Sequence, residues 1–333
     1  DPFALNITTS TDIAVDLGAG WNWFSINVEG ESMVLDSVLE TLVNGIYIKG
    51  QSGYADYYPG FGWFGALEEI NVENMYKINL SNADLLEYSG AAVDPATRPI
   101  SLNSGWNWVG YLPSSTLEIN VALETLVNGI YIKGQSGYAD YYPDFGWFGG
   151  LEYMDPFNGY LLNMSAGDTL SYPGGVGNGR FLTDRENILD DKLFGFDYRQ
   201  YEYNGSITSE IDIDEEIEIS ENDLLIAKID GECRGYAHPI TFPLTGEFVF
   251  PIMIYSSLQN EENITFEYFN SIENKYYVLS SSEEVLAFEA DMAIGDGFSP
   301  YMFDKITSEY SAVEENPFKI EISMAHPNPF NPT

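Results

Sequence analysis

The sequence predicts a mainly β protein: two homologous small β-rich modules, each with one short helix, followed by a β-sandwich domain. Three observations lead there. A block of 21 residues, LETLVNGIYIKGQSGYADYYP, runs from Leu39 to Pro59 and returns unchanged from Leu123 to Pro143, 84 positions on. A copy at that spacing is a tandem pair of whole small domains, because solenoid units repeat at shorter periods. Around each copy the apolar residues fall in short, mostly alternating runs broken by Gly and Pro, the signature of strands. Beyond position 180 the same short runs continue with unrelated sequence, as in a sandwich.

Each module reads in one order. A first strand carries Gly20-Trp-Asn-Trp23, answered by Gly105-Trp-Asn-Trp108, and its two tryptophans share one face. A helix is expected next, with Met33, Leu35, Val38, Leu39, Leu42 and Val43 as its apolar stripe. Leu117, Ile119, Ala122, Leu123, Leu126 and Val127 repeat it. Ser115-Thr-Leu-Glu118 has the form of a capping box, and Gly45 and Gly129 occupy the place of a glycine just past a helix end. Strands are expected at Ile46–Lys49 and Tyr54–Tyr58, then at a closing strand with Tyr76, Ile78 and Leu80, or Tyr160, Leu162 and Met164, on one face. In the third domain strands are expected at 201–213, 224–229, 233–237, 248–255, 264–269, 276–279 and 285–292. Asp230-Gly231 supplies a hairpin turn.

The expected boundaries are a lead-in at 1–10, module 1 at 11–90, an Ala/Pro linker at 91–99 and module 2 at 100–174. A Gly-rich hinge at 175–179, the sandwich at 180–318 and a tail at 319–333 complete the chain. The start at Asp1 rather than Met points to a processed product or an excised fragment.

Composition narrows the function. The chain has 52 acidic and 13 basic residues, a formal net charge of −39. So few bases cannot displace counterions from phosphates, which argues against nucleic acid and anionic membranes. Aromatic content of 15% separates the chain from acidic disordered polypeptides. With a single cysteine, Cys233, no internal disulfide can form, and no apolar run is long enough to span a bilayer.

The final residues, His326-Pro-Asn-Pro-Phe-Asn-Pro-Thr333, resemble the opening of the sorting domain that directs proteins through the bacterial type IX secretion system. That resemblance implies export across a Gram-negative outer membrane, with the secretion machinery as a partner of the C-terminal region. The modules resemble repeats of large secreted bacterial proteins. Those repeats combine Gly-Trp-Asn-Trp, a Lys-Gly-Gln-Ser-like strand, Gly-Trp-Phe-Gly and a closing Gly-Tyr pair. Here Gly159-Tyr160 closes the second copy, while Met75-Tyr76 closes the first. The third domain, with Asn222-Asp-Leu-Leu225 and Asp230-Gly-Glu-Cys-Arg-Gly235, resembles one that accompanies them. No catalytic role comes with these resemblances.

Common catalytic motifs are missing from the sequence. A Ser-His-Asp triad would have to use His238, which precedes Pro239 in a turn-like stretch. The aromatic clusters are the candidate ligand-binding residues: Tyr54, Asp56, Tyr57, Tyr58 and Trp63, repeated as Tyr138, Asp140, Tyr141, Tyr142 and Trp147. Tyr and Trp rings stack on sugar faces, and Asp56, Asp140 or Gln51 could hydrogen-bond hydroxyls. The competing expectation is that these rings fill module cores, as the Gly-Trp-Asn-Trp tryptophans are expected to do. Consecutive tyrosines on a strand cannot all point inward. Asp212, Asp214, Glu216 and Asp223 are the candidate metal ligands. Calcium is the cation that suits such carboxylates, and a solvated strand face is the simpler reading.

The expectation is therefore a secreted or cell-surface, non-catalytic protein that binds an extracellular polysaccharide or a surface protein. Two alternatives are a self-associating spacer or filament unit and an ancillary region of a secreted hydrolase.

Overall fold

A computed structural model describes residues 10–174, 193–212, 217–280, 286–303 and 305–311. Module 1 contains β1 (Ser10–Leu17), β2 (Gly20–Phe24), β3 (Val28–Glu29), α1 (Leu35–Val38), β4 (Gly45–Lys49), β5 (Tyr54–Tyr58), β6 (Gly62–Gly65), β7 (Tyr76–Leu80) and β8 (Asp84–Ala92). Module 2 contains β9 (Ile100–Leu102), β10 (Gly105–Gly110), β11 (Leu117–Glu118), α2 (Ile119–Ala122), β12 (Gly129–Lys133), β13 (Tyr138–Tyr142), β14 (Gly146–Gly149), β15 (Tyr153–Met154), β16 (Gly159–Met164) and β17 (Asp168–Leu170). Their five-stranded antiparallel sheets have the same order, β2-β7-β4-β5-β6 and β10-β16-β12-β13-β14.

The inner faces of both sheets close over one continuous core. Ile48, Ala55, Ile78 and Leu80 line it from module 1, and Ile132, Ala139, Leu162 and Met164 from module 2. The helices are single turns that drop Leu35, Val38, Ile119 and Ala122 into this core. They are shorter than the apolar stripes suggest. Val43 and Val127 are exposed, so each stripe ends at Leu42 and Leu126. The expected capping box does not form: Glu118 itself holds the N-cap position without a side-chain cap, and Leu117–Glu118 pair with β15. Nor do Gly45 and Gly129 terminate helices. Each opens a strand, and a Cβ there would lie 2.5 or 2.6 Å from the indole of Trp63 or Trp147, so the close approach of that ring demands glycine.

The third domain contains β18 (Tyr203–Ile211), β19 (Leu224–Ile229), β20 (Glu232–Ala237), β21 (Ile240–Thr241), β22 (Phe248–Ser256), β23 (Asn260–Asn263), β24 (Thr265–Asn270), β25 (Lys275–Ser280), β26 (Ala287–Glu289), β27 (Ala293–Ile294), β28 (Tyr301–Phe303) and β29 (Lys305–Ser311). One sheet is ordered β21-β22-β18-β27, with β28 also on β18, and the other β20-β19-β24-β25-β29. Ile207, Ile252 and Ile254 of the first meet Leu225, Ala227 and Phe266 of the second in a separate core, the arrangement of a sandwich. The hairpin turns as expected at Asp230-Gly231, where both residues have positive φ. The expected strand at 285–292 is reduced to Ala287–Glu289, and that at 201–213 to Tyr203–Ile211. The Gly-rich hinge at 175–179 and the motif at 326–333 lie outside the described residues.

Candidate functional site

Strand register lays one row of side chains across the outer face of each module sheet. In module 1, Trp21 pairs with Asn79, Asn79 with Tyr47, Tyr47 with Asp56, and Asp56 with Phe64. Period-two alternation then puts Tyr54 and Tyr58 on the same face as Asp56 and turns Ala55 and Tyr57 inward. Tyr57 packs on Trp63 at 5.2 Å against the core, and Tyr141 on Trp147 at 5.3 Å. These four candidates pack against the core, Tyr57 and Tyr141 only half-buried, and do not share the outer face. Tyr54, Asp56 and Tyr58, with Tyr138, Asp140 and Tyr142, form the outer set. Phe64 and Phe148 join them, with no sequence signal that sets them apart from the other aromatics.

The tryptophans of Gly-Trp-Asn-Trp are also on this outer face. Trp23 is buried by the junction between modules rather than by a module core, and Trp106 and Trp108 are half-buried against it. Trp23, Met75 and Leu161 form a small cluster there, with Trp106 and Trp108 packed against it. The junction is pseudo-twofold. Gln51 Nε2 donates to the Trp106 carbonyl and its Oε1 accepts from the Trp108 N–H, both at 2.9 Å. Gln135 makes the same pair to Trp21 (2.7 Å) and Trp23 (3.0 Å). Gln51 is therefore committed to holding the modules together, not to a ligand. Lys77 lies 3.9 and 4.9 Å from the ring centroids of Trp23 and Trp108. Desolvation, followed by the charge of Lys133, holds its ammonium pKa well below the usual lysine range.

The symmetry breaks where it must. Met75 and Gly159 are counterparts facing each other, and a Cβ on Gly159 would come within 2.6 Å of the Met75 Cβ. Gly159→Ala is expected to cost about 1–3 kcal/mol through this crowding. Thermal unfolding checks it, and Met75→Gly in the same chain, which removes the opposing Cβ, should recover part of the loss.

The two outer faces share their copied residues but have different surroundings. On module 2, Tyr131 OH and Ser206 Oγ lie 2.7 Å apart, as do Tyr138 OH and Thr208 Oγ1. The Gly297 N–H donates to Tyr142 OH at 2.6 Å. Lys133 Nζ donates to the Asn204 carbonyl (3.0 Å), Asn204 Oδ1 (2.8 Å) and Asp291 (2.7 Å). Phe242 covers Tyr142 and Phe148 at 4.9 and 5.4 Å between centroids. The sandwich thus lies sheet-on-sheet against module 2. On module 1 the neighbours stop at Lys49, which pairs with Glu202 beside Trp21 and Tyr203. Beyond it Tyr54 is 51% exposed where Tyr138 is 1%, and Tyr58 is 49% where Tyr142 is 5%. Phe61 and Phe64 are exposed beside them.

The paired tyrosines give a direct comparison. Tyr138→Phe strips a buried Thr208 hydroxyl of its partner and is expected to cost about 1–1.5 kcal/mol. Tyr54→Phe, at an exposed ring, should lie within about 0.5 kcal/mol of the parent. Denaturant unfolding of both variants checks the difference.

Desolvation, with Asp296 next, pushes the Asp140 carboxyl up to about 7. Of the four metal candidates the structure describes two. Asp214 and Glu216 lie outside the described residues, and Asp212 is exposed at the end of β18. Asp223 is fully buried with its oxygens already used. It accepts from Ser220 N (2.8 Å), Ser271 N and Oγ (2.7 Å each) and Tyr268 OH, and so ties two loops of the sandwich. Among the described residues no group of three or more His, Cys, Asp or Glu could hold a metal ion. His238 Nδ1 donates to the Asp223 carbonyl at 2.9 Å, a loop-fastening contact.

The sequence reading missed Lys49, Lys77, Lys133 and Gln135. Their only signal was that three of them lie within the copied block of a chain with just 13 basic residues. No protein-family model, curated protein or solved structure matches the chain.

Proposed function

We propose that the chain is a non-catalytic, secreted or outer-surface adhesion protein that holds an extracellular partner on the open outer face of module 1. One observation supports this reading above the rest. Within the same 21 residues, Tyr138 and Tyr142 are covered by the sandwich in the second copy, and their twins Tyr54 and Tyr58 are left open in the first. A contiguous aromatic surface of Tyr54, Tyr58, Phe61 and Phe64 is the kind of exposed patch that marks an interaction site. Export rests on the resemblance at 326–333. The face displays hydroxyls, rings and Asp56 but no free base, which suits an uncharged or weakly basic partner and excludes strong anion binding.

The reading is tested by binding of the full chain to a panel of extracellular polysaccharides and surface proteins, with and without calcium. Retention should fall sharply in a Tyr54→Asp/Tyr58→Asp variant. Binding that the variant leaves untouched, or no binding to any of them, would sink the reading. A structural spacer is the second reading. It is favoured by the reciprocal Gln51 and Gln135 contacts, which lock the two modules into one rigid unit.

A further inference from the structure

Resting on the open module 1 face as the contact surface, we propose that its occupant is the sheet face of a β-sandwich domain on another polypeptide. The expected pattern is the one this chain already uses to cover module 2.

The argument begins with what covers the second copy. Along β18, Asn204, Ser206 and Thr208 are spaced two apart and so share the sandwich's outer face, while Ile207 turns into its core. Each of the three meets a residue of the copied block: Lys133, Tyr131 and Tyr138. Two aromatic rings, Phe242 and Phe298, then cap Tyr142. Every one of those receiving residues has its twin on module 1, as Lys49, Tyr47, Tyr54 and Tyr58, on strands of the same order and register; Lys49 is already paired with Glu202, so the open receiving pair is Tyr54 and Tyr58. A surface that accepts a hydroxyl-bearing strand and an aromatic pair in one copy has the chemistry to accept them in the other.

Stoichiometry supplies the second step. Among the described residues there are two such receiving faces and one sandwich. Exchange of these sandwiches between copies therefore leaves half of those faces empty. The sandwich of a second copy is held by its own module 2, so the open face calls for a like domain from elsewhere. Charge agrees. The contacts on module 2 are made by hydroxyls, amides and rings, with acids only at Asp291 and Asp296, so this mode of docking does not need a basic partner. For a chain of net charge −39 that is the mode open to acidic proteins of the same type.

The closing experiment uses this chain's own sandwich, residues 193–311, as the probe. Its described strands pair only with one another and enclose their own core, while Ile226, Tyr236, Met253 and Tyr255 form the face that Tyr131 and Tyr138 cover in the full chain; a cooperative unfolding transition of the isolated fragment is the control for its folding. Titrated into the full chain and followed by calorimetry, it should bind at one site per chain. Tyr54→Asp/Tyr58→Asp in the full chain should weaken binding by at least about tenfold, roughly 1.4 kcal/mol. No binding, or binding unaffected by that variant, overturns the proposal. A polysaccharide that binds and is lost in the same variant, with the sandwich inert, overturns the proposal and leaves the contact surface intact. Loss of both removes the contact surface as well. A second arm uses full-length chains only. Lys133→Glu/Tyr138→Asp/Tyr142→Asp, which puts three carboxylates into the seam that Lys133, Tyr138 and Tyr142 hold, should loosen the sandwich from module 2 and produce concentration-dependent association by sedimentation that Tyr54→Asp/Tyr58→Asp reverses. A triple variant that exposes its sandwich to limited proteolysis yet stays strictly monomeric speaks against the proposal.

Discussion

Lys133→Met is expected to destabilise the protein by about 3 kcal/mol, while Lys49→Met, the same change in the twin position, costs about 1 kcal/mol or less. The asymmetry follows from burial alone. Lys133 is fully buried, and its ammonium supplies donors to two oxygens of Asn204 and one of Asp291. Asn204 is itself 2% exposed. Methionine fills the volume of the stem but leaves the two buried Asn204 oxygens without their donor, whereas Asp291, 42% exposed, can turn to water. Lys49 also pairs with one carboxylate, but both side chains keep contact with solvent, 19% and 25% exposed. Water replaces what the substitution removes. Denaturant unfolding followed through tyrosine fluorescence reads both. Equal losses at the two positions would mean that the sandwich does not cover module 2 in solution.

Asp140→Asn is expected to stabilise the protein at pH 8 and to remove part of its pH dependence. The sign follows from the raised pKa. Burial against the sandwich, then the charge of Asp296, lifts the Asp140 carboxyl from its usual 3.8 to about 7. Between those values the folded protein holds a proton that the unfolded chain releases. Stability therefore declines as pH rises from about 4 through about 7, and is flat above that as far as this group is concerned. At ~1.4 kcal/mol per pH unit the full cost at pH 8 is a few kcal/mol at most, less what solvent relieves at a half-buried side chain. Asparagine keeps the shape without the charge. Tyr138 and Tyr142 face the same carboxyl, and both are pushed further from titration by burial, so neither adds a slope in this window. The measurement is the unfolding free energy of parent and variant from pH 4.5 to 8.5. Parallel curves would contradict the placement of Asp140 beside Asp296.

The contrast between these twins also explains what was legible in the sequence. The strands were, because alternation is a local property: Tyr76, Ile78 and Leu80 all turn inward as their spacing requires. So was the hairpin at Asp230-Gly231, whose turn chemistry admits few alternatives. The helices were overextended because an apolar stripe continues past α1 and α2 in letters while the chain has already turned; Leu42 is in the core and Val43 is not. The capping box failed for a similar reason, since Leu117 and Glu118 find strand partners that no local pattern reveals. Inward and outward tyrosines within Tyr54–Tyr58 were foreseeable in kind, though not which copy would be covered. Identical residues cannot encode their own difference. What distinguishes Tyr54 from Tyr138 is Thr208, some 70 residues away in a different domain. The tryptophans follow suit: Trp21 and Trp23 are buried as anticipated while Trp106 and Trp108 are only half-buried, and the cluster around Trp23 lies between modules, a long-range arrangement that composition and spacing do not carry.

Tyrosine nitration of the native full chain, resolved by mass spectrometry, tests the central claim most directly. Cleavage after Lys49 and Lys133 yields two peptides that share Gly-Gln-Ser-Gly-Tyr-Ala-Asp-Tyr-Tyr-Pro and then diverge at Gly60 and Asp144, so their masses tell the copies apart. The structure predicts rapid labelling of Tyr54 and Tyr58 and protection of Tyr138 and Tyr142 until the chain unfolds. Equal labelling of the two copies in the folded protein would contradict it.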